Sequence, residues 1–384
     1  MRLLMVNGFF HPYLGGTEKH MYEIGRRIAK KEEVHVLTSL LPESKEEEEL
    51  DGVHVHRVKT KFHKMPTLYP PPYPRSPEAR KAIEKLDKKY DFDFINLHSR
   101  WFPDFAYSFF YGKKRGKINV FTLHNGRPIG INPAISFAGS LFDTLYGKKV
   151  LSLADKIIAV SDAVGKDISH YNCIDKEKIV VQHNGVNTSF FKPSPPTYRE
   201  AHGDPDNVVL FLGRMIKQKG LKYFLKAIPY ILKEHKKTIF IMAGTGNERK
   251  KLIAKAKSMK LGRNVLFPGF IPEEDLPSLY SSADVYVLPS LWEVCPLTLL
   301  EAMACGVPCV VSDAGGNSEV IENGKCGFVV PKKDYLSLAE KINLLLSDGK
   351  LRKQMSKKAR ERAVKFFDWD IIAEKTRNIY LDLL

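Results

Sequence analysis

The stretch Ser290-Leu-Trp-Glu293-Val-Cys-Pro-Leu-Thr-Leu-Leu-Glu301-Ala-Met-Ala-Cys-Gly306-Val-Pro308 holds the pattern that decides the fold. The apolar run before it, residues 284–288, is typical of a buried parallel strand. Pro296 suits the first turn of a helix, and Gly306 suits its end. The pattern predicts strand, turn, helix, turn and strand. The free N–H groups of residues 297–299 would then face the carboxyl edge of a parallel sheet.

Two carboxylates flank the start of this helix. Glu293 precedes it, and Glu301 lies about 7.5 Å along its axis from Pro296 at the usual rise per residue. Two acids at this separation could hold two ends of one polar ligand. A solvated turn residue and a helix-surface residue are the alternative, and the spacing alone favours that alternative.

The same stretch resembles a known signature. Glu293, seven residues, Glu301 and the tail that ends at Pro308 are similar to the Glu-x7-Glu motif of retaining nucleotide-sugar glycosyltransferases of the GT-B fold. The closest resemblance is to the group 1 family, which is family 4 of the carbohydrate-enzyme classification. This chain has Val-Cys-Pro-Leu where that family usually has Gly-Phe-Gly-Leu. Because Pro296 lacks an N–H, we expect the sugar contacts from Leu297 and Thr298.

Two further motifs stand where the family has them. Gly15-Gly16-x-Glu18 follows a first strand and opens a helix, an arrangement that lets backbone N–H groups approach a phosphate. A tight turn is the alternative, and the resemblance instead implies a position beside the donor diphosphate. His124 ends the strand 118–123 and resembles the family's active-site histidine, although Asn125 stands where the family often has Asp.

The second half of the chain has its own basic loop. Arg214 and Lys219 lie in Gly-Arg-x4-Lys-Gly after the strand 208–212, where two cations would hold a diphosphate. Basic loop residues are often only solvated, but this run matches the family's diphosphate-binding loop. The resemblance also implies that Glu301 binds the ribose hydroxyls and that Glu293 contacts the sugar.

The length of 384 residues and the repeated strand–helix pattern predict two α/β domains. We expect two doubly wound, Rossmann-like domains that face each other across a cleft, which is the GT-B architecture. A linker rich in proline, 193–205, sets the expected boundaries: residues 1–195 on the acceptor side and residues 196–367 for the nucleotide sugar. Residues 368–384 resemble the family's terminal helix, which crosses back to the first domain.

The formal net charge of +16 favours anionic partners, although a lysine-rich surface without any partner is also common. Residues 129–150 combine a helical apolar pattern with Lys148 and Lys149. The segment would lie on an anionic membrane if its apolar side, with Phe137, Leu141, Phe142, Leu145 and Tyr146, faced outward. Packing into the core of the first domain is at least as compatible with the pattern. The sequence holds no apolar run long enough to span a membrane.

The resemblance therefore implies a retaining, metal-independent glycosyltransferase of hexosyltransferase type. It would use a UDP- or GDP-sugar as co-substrate and no cofactor. Its hydroxyl acceptor would be a lipid-linked or membrane-lipid molecule, or a soluble one such as a sugar phosphate or a growing glucan. The residues assigned to catalysis are Glu293, His124, Arg214 and Lys219, and those assigned to the donor are Gly15, Gly16, Arg214, Lys219, Leu297, Thr298 and Glu301. We expect a cytoplasmic enzyme, with peripheral attachment to the inner membrane face left open, and no nucleic-acid partner. The alternatives are another GT-B enzyme such as an epimerase, and a basic non-enzymatic binder of membrane or nucleic acid.

Overall fold

The computed structural model describes residues 1–13, 15–63, 72–126, 133–201, 203 and 205–384. The chain divides into two compact units. The first comprises Met1–His183 with Trp369–Leu384, and the second comprises Asn184–Asp368. Each unit has a sheet of mostly parallel strands joined by helices, as the alternating sequence pattern predicts.

In the described part of the first unit, residues 1–183 form ten strands and six α-helices. The strands are β1 Arg2–Val6, β2 Glu33–Ser39, β3 Glu47–Leu50, β4 Val53–Val58, β5 Lys61–His63, β6 Tyr73–Arg75, β7 Phe94–Leu97, β8 Ile118–Leu123, β9 Lys156–Ala159 and β10 Ile179–Val181. The helices are α1 Gly16–Ile28, α2 Glu78–Tyr90, α3 Pro103–Arg115, α4 Pro133–Phe142, α5 Lys148–Ser152 and α6 Asp162–Asn172.

Eight of these strands form one sheet in the order β10-β9-β8-β7-β1-β2-β4-β3. All neighbours are parallel except β3 and β4, which pair antiparallel. The chain leaves β1 toward β2 and β4, and it later returns on the other side of β1 through β7 and β8. The strand order therefore reverses between β1 and β7, and such a reversal opens a crevice at the carboxyl ends of the strands.

The described residues of the second unit repeat this plan with six strands. They are β11 Asn207–Leu212, β12 Thr238–Ala243, β13 Val265–Gly269, β14 Val285–Leu288, β15 Cys309–Ser312 and β16 Gly327–Val330. Its helices are α7 Thr197–Glu200, α8 Leu221–Glu234, α9 Arg249–Ser258, α10 Leu276–Ser281, α11 Leu297–Ala304, α12 Asn317–Val320, α13 Tyr335–Ser347 and α14 Gly349–Phe366. The strands pair in parallel in the order β13-β12-β11-β14-β15-β16, so the reversal lies between β11 and β14.

The chain then returns to the first unit as α15, Trp369–Leu381. Trp369 and Tyr380 are fully buried there, and the ring of Tyr380 packs edge-on against Phe94 of β7. Ion pairs join α15 to α1 and to the turn after it: Arg27 with Asp370 at 2.5 Å, and Lys31 with Glu374 at 2.9 Å.

The expected boundary at residue 195 lies inside the second unit. Residues 184–195 belong to that unit because its side chains hold them there. The Asn184 amide donates to the carbonyl of Cys295 at 2.7 Å, and Arg360 of α14 donates to the carbonyls of Phe191 and Thr188 at 2.7 and 3.0 Å.

The segment expected to form one amphipathic helix is interrupted. A π-helical turn, Asp143–Gly147, separates α4 from α5, and residues 127–132 lie outside the described part of the chain. Phe137, Leu141 and Leu145 are 73%, 49% and 71% exposed. Phe142, which the apolar pattern grouped with these residues, stacks on Trp101 with ring centroids 5.2 Å apart, so the segment has both an exposed and a packed apolar part.

No helix in the described ranges is both long and apolar enough to cross a membrane.

Candidate functional site

In the second unit, an ion pair joins the loops that follow β11 and β14. The ammonium nitrogen of Lys219 lies 2.6 Å from Oε1 of Glu293, and the Ser290 hydroxyl donates to the same oxygen at 2.6 Å. The side chains of Lys219 and Glu293 are 13% and 7% exposed. Two residues 74 positions apart in sequence thus meet at the strand-order reversal, where doubly wound sheets bind ligands.

Gly220 makes this approach of the two loops sterically feasible. Its φ is +65°, and a Cβ there would lie 2.0 Å from the carbonyl oxygen of Pro289. Two hydrogen bonds next to this contact join the same loops. The N–H of Leu291 donates to the carbonyl of Gln218 at 2.7 Å, and the Gln218 amide donates to the carbonyl of Trp292 at 2.8 Å. A glycine after Lys219 is therefore required by the packing that places Lys219 beside Glu293.

The helix α11 begins one residue later than expected, with Pro296 in extended conformation as its cap. The N–H groups of Leu297 and Thr298 have no acceptor among the described residues, as a ligand-binding helix start requires. The N–H of Leu299, which we expected to be free as well, donates to the carbonyl of Pro296 at 3.2 Å. The donor set at this helix start is therefore Leu297 and Thr298.

Two buried tyrosines hold the polar side chains of α11. The Tyr280 hydroxyl donates to Oε2 of Glu301 at 2.9 Å, and the Tyr286 hydroxyl lies 2.9 Å from Oγ1 of Thr298. Burial raises the pKa of both phenols well above the ordinary value, so each retains its proton. Glu301 is only 5% exposed. The hydrogen bond from Tyr280 therefore fixes the position of the Glu301 carboxylate.

Arg214, the other basic residue expected at the diphosphate, lies in the same loop as Lys219 and has an exposed side chain. The structure therefore separates the two cations by environment. Lys219 is held against the Glu293 carboxylate and is largely buried, whereas Arg214 is exposed.

In the first unit, the carboxyl ends of β1, β7 and β8 bring three histidines together. His20 of α1, His98 after β7 and His124 after β8 are all buried, and one ring nitrogen from each lies within 4.8 Å of the others. The ring of His20 also packs edge-on against Trp369, with centroids 5.5 Å apart. Gly15 caps α1 and Gly16 is its first residue, one helical turn before His20.

Three histidines at this distance suggest a metal site, but the geometry of one pair argues against it. His98 Nδ1 lies 3.0 Å from His124 Nε2, and the ring planes are inclined by only 17°. The lone-pair directions of these nitrogens point at each other rather than at a common third point, as ligation of one ion would require. Burial, with the neighbouring His20, lowers the pKa of His98 and His124 well below 6.5, so both rings are neutral at pH 7.

Arg100 fixes the loop that follows His124. Its guanidinium forms a two-pronged ion pair with Asp143 in the π-helical turn, at 2.6 and 2.8 Å, with both side chains almost fully buried. The same guanidinium donates to the carbonyls of Asn125 and Gly126 at 3.3 and 3.4 Å. The turn between α4 and α5 and the His124 loop are therefore held by one side chain.

Sequence reasoning missed Ser290, Tyr280, His98 and Arg100 as parts of these sites. Ser290 stands in the quoted stretch three residues before Glu293, and His98 ends a strand, so a weak positional signal existed for both. Tyr280 and Arg100 carry no such signal, since their partners Glu301 and Asp143 lie in other elements.

Comparison with known proteins gives the same assignment for both halves. The family described as "Glycosyltransferase Family 4" matches residues 14–190, and the family described as "Glycosyl transferases group 1" matches residues 197–362. A glycosyltransferase of Methanocaldococcus jannaschii, itself uncharacterized, is 29% identical over 99% of this chain and 98% of its own length.

Two other similar proteins have more specific names. An Escherichia coli protein named UDP-Gal:alpha-D-GlcNAc-diphosphoundecaprenol alpha-1,3-galactosyltransferase is 32% identical over 55% of this chain and 56% of its own. The solved structure of sucrose-phosphate synthase from Thermosynechococcus elongatus matches with a TM-score of 0.83 at 21% identity, over 100% of this chain and 98% of that one.

This structural likeness confirms the expected pair of Rossmann-like domains. The two family matches together span most of residues 14–362, and both are glycosyltransferase families. The chain belongs to the group 1 glycosyltransferases of the GT-B fold.

Proposed function

We propose that this enzyme transfers a hexose from a nucleoside diphosphate sugar to a hydroxyl acceptor, with retention of configuration at the anomeric carbon. The bond from that carbon to the diphosphate oxygen breaks, and the bond to the acceptor oxygen forms on the same face. The acceptor proton passes to the departing diphosphate. The products are the glycoside and the nucleoside diphosphate.

The observation that carries this proposal is the contact between Lys219 and Glu293. A cation held in place before the reaction begins can meet the negative charge that grows on the diphosphate as it leaves, and such preorganised charge lowers the barrier. Lys219 has three N–H donors, so a bond to Glu293 leaves it able to donate to a phosphate. Arg214 would add a second cation from the same loop, and His124 would act beside the sugar from the first unit.

The helix start of α11 supports the rest of the donor assignment. Its N–H groups at Leu297 and Thr298 suit the hydroxyls of a sugar, and Glu301, held by Tyr280, suits the vicinal hydroxyls of a ribose. The name of the Escherichia coli relative specifies a UDP-sugar. A uridine diphosphate sugar is therefore the first donor to test, with its guanosine counterpart second.

Because Lys219 and Arg214 would neutralise the diphosphate, we propose that the reaction needs no divalent cation. Activity should then persist in excess EDTA. Loss of activity in EDTA that manganese or magnesium restores would contradict this part of the proposal.

For the acceptor we propose a lipid-linked or membrane-lipid hydroxyl. Phe137, Leu141 and Leu145 recur every four residues, so they share one face of the helical segment, and all three are exposed. Lys148 and Lys149 are exposed one turn further on. An apolar face beside cations suits the headgroup layer of an anionic membrane, and the name of the Escherichia coli relative specifies a diphosphoundecaprenol acceptor.

The test of the proposed activity is substitution of Lys219. We expect Lys219→Met to lower kcat by about 10²- to 10³-fold, the usual cost of losing one preorganised donor. The change in the KM of the acceptor should be smaller, because the charge that Lys219 meets develops on the leaving group. Product anomers resolved by NMR would report retention directly, and incubation with the donor alone would reveal an epimerase.

A second variant separates catalysis from folding. Lys219→Met leaves the buried Glu293 carboxylate without its ion-pair partner, which by itself destabilises a protein. Lys219→Met/Glu293→Gln removes that charge, and it should unfold near the wild-type temperature and still be inactive. Lys217→Met, at an exposed position in the same loop, is the matched control and should stay active. Normal kcat in both Lys219 variants would remove Lys219 from the mechanism.

A further inference from the structure

The contact between His98 and His124 has the geometry of a straight hydrogen bond. Their ring centroids lie 5.3 Å apart, which equals the 3.0 Å between Nδ1 of His98 and Nε2 of His124 plus the distance from each centroid to its nitrogen. The two centroids and the two nitrogens therefore lie on one line. A single proton between the nitrogens gives a linear N–H···N bond, the favoured hydrogen-bond geometry.

The direction of this bond follows from the other nitrogen of His98. Nε2 of His98 is buried and has no hydrogen-bond partner among the described residues. A buried N–H without an acceptor is costlier than a bare nitrogen without a donor, so the His98 proton belongs on Nδ1. His98 then donates to Nε2 of His124, and the proton of a neutral His124 must reside on its Nδ1.

A second histidine pair in the same unit shows that the hydrogen-bond partners of the outer ring nitrogen decide which histidine donates. His35 Nδ1 lies 3.0 Å from His56 Nε2, with centroids again 5.3 Å apart and planes inclined by 6°. There, Nε2 of His35 lies 2.9 Å from a carboxylate oxygen of Glu33, which can only accept a hydrogen bond from neutral His35. That proton belongs on Nε2 of His35, and the bond between the rings runs from His56 to His35, opposite to the pair at the site.

We propose that His98 is a positioning residue that sets both the orientation and the tautomer of His124. By donating from Nδ1, it holds His124 as the Nδ1–H form and makes that N–H the hydrogen-bond donor offered to an oxygen of the bound sugar. The opposite tautomer would present a lone pair to the same oxygen. The catalytic consequence rests on the proposed function, whereas the tautomer is a property of the protein alone.

The direct test is the ¹⁵N NMR spectrum of histidine-labelled protein without substrate. Protonated and bare ring nitrogens differ strongly in chemical shift, and the His124 signals among the 12 histidines are identified by their loss in His124→Gln. We expect wild-type His124 at pH 7 as one tautomer, with the proton on Nδ1. A proton on Nε2, or a mixture of both forms, would overturn the proposal whatever the enzyme proves to transfer.

Variants of His98 then link the tautomer to turnover. His98→Leu removes the donor and should give a mixture of His124 tautomers with kcat lowered roughly tenfold, the value of one lost hydrogen bond, at nearly unchanged donor KM. His98→Asn puts an amide N–H near the position of Nδ1, and it should restore the single tautomer and most of the turnover. His35→Leu breaks the matched pair between β2 and β4, and it should leave the His124 tautomer and kcat unchanged.

These variants also separate the role of His98 from the proposed activity. If His98→Leu does not fold, His98→Asn and the wild-type spectrum still decide the matter. An unchanged His124 tautomer in folded His98→Leu would overturn the positioning role. A shifted tautomer with no glycosyl transfer in any variant, wild type included, would sustain the role of His98 and contradict the proposed activity instead.

Discussion

Gly15 and Gly16, at the start of α1, have different surroundings. A Cβ on Gly15 would lie 2.1 Å from a carboxylate oxygen of Glu18, so the first glycine makes room for a side chain of its own helix. A Cβ on Gly16 would meet nothing within 4 Å among the described residues, and its backbone does not need a positive φ. A side chain at residue 15 would displace the Glu18 carboxylate, whereas no described contact gives Gly16 a structural reason.

Substitution of Gly16 tests whether a bound ligand requires a glycine at this position. We expect Gly16→Ala to leave the free energy of unfolding unchanged or to raise it by up to about 1 kcal/mol, since alanine favours helix. If backbone N–H groups at this turn approach the donor, the added methyl should lower kcat/KM for the donor at least tenfold. Steady-state kinetics and thermal unfolding measure the two quantities.

Gly349 provides the matched control, because it too is the first residue of a helix, and a Cβ added there would meet no described atom within 4 Å. Gly349→Ala should affect stability as Gly16→Ala does, and it should keep wild-type kinetics. A Gly16→Ala enzyme with wild-type kcat/KM would place the glycine motif outside the donor site.

For single residues, the sequence and the family resemblance predict members of the site but not the partners that those residues contact. Glu293 and Lys219 were assigned separate roles, to the sugar and the diphosphate, and the structure joins them in one ion pair. Their contact depends on Gly220 packing against Pro289, a tertiary fact that local spacing does not encode. The functional roles of these residues stay predictions.

Among the elements, the outer edge of the first sheet carries an unusual density of histidine. β4 pairs with β2, and His56 is buried against His35 and the ring of Tyr90 on α2. On the other side, β3 contributes Glu47, which lies 3.5 Å from the second nitrogen of His56. Burial and the neighbouring His35 lower the pKa of His56 to about 4.

This edge should make the first unit sensitive to acid. In the unfolded chain His56 takes up a proton near pH 6.5, but in the folded chain it does so only near pH 4. Between these values the unfolded state binds more protons, so the free energy of unfolding should fall as the pH is lowered. Each such group contributes up to about 1.4 kcal/mol per pH unit. His35, whose pKa burial also lowers, acts in the same direction.

Urea unfolding followed between pH 7 and pH 4 measures this slope. His56→Gln removes the titrating group and should give a shallower slope than the wild type. His54→Gln changes a neighbouring histidine whose side chain is 45% exposed, and it should leave the slope as it was. Equal slopes in the wild type and His56→Gln would show that His56 does not titrate as its burial implies.

Most strands and helices follow from the periodicity of the sequence, and the failures have local causes. The segment after residue 131 has the pattern of one continuous helix, yet a π-helical turn divides it where the buried Asp143 pairs with Arg100. That partner lies 43 residues away in sequence, so periodicity within the segment cannot reveal the interruption. Phe142 lies about 100° around the helix from Leu141, so it can stack on Trp101 while Leu141 faces outward.

For the whole molecule, the charge and the exposed apolar face lead to one expectation about membranes. We expect binding to vesicles that contain anionic lipid, at low salt, and little binding to neutral vesicles. The net charge of +16 supplies the attraction, at roughly 1 kcal/mol for each well-placed cation, and salt should weaken it by screening. Vesicle flotation measures the bound fraction.

The triple variant Phe137→Ser/Leu141→Ser/Leu145→Ser should lose most of this binding. Leu336→Ser/Leu344→Ser, which removes exposed apolar side chains from α13 of the second unit, is the matched control and should bind like the wild type. Equal flotation of the triple variant and the wild type would show that charge alone, or another surface, holds the protein. No flotation of the wild type at low salt would remove the membrane from the proposal.

The overall architecture could be predicted because its pattern occurs twice in the chain. Each half alternates apolar strands with amphipathic helices, and each places a glycine-containing loop after its first strand. The unit boundary was harder to place, because the prolines after residue 193 indicate a linker, yet Arg360 and Asn184 hold the preceding residues to the second unit. A proline-rich composition indicates where the chain is extended, but it does not indicate which of the two units the segment packs against.

The assignment of α15 to the first unit bears on the order of synthesis. The ribosome makes residues 1–183 first and the whole of residues 184–368 before α15 emerges. Until then the nascent first unit lacks the Trp369 and Tyr380 side chains that it buries, and the Arg27 and Lys31 side chains lack their partners on α15. The first unit therefore cannot reach its full set of contacts during translation of its own main segment, and its completion must wait until the second unit has been synthesised.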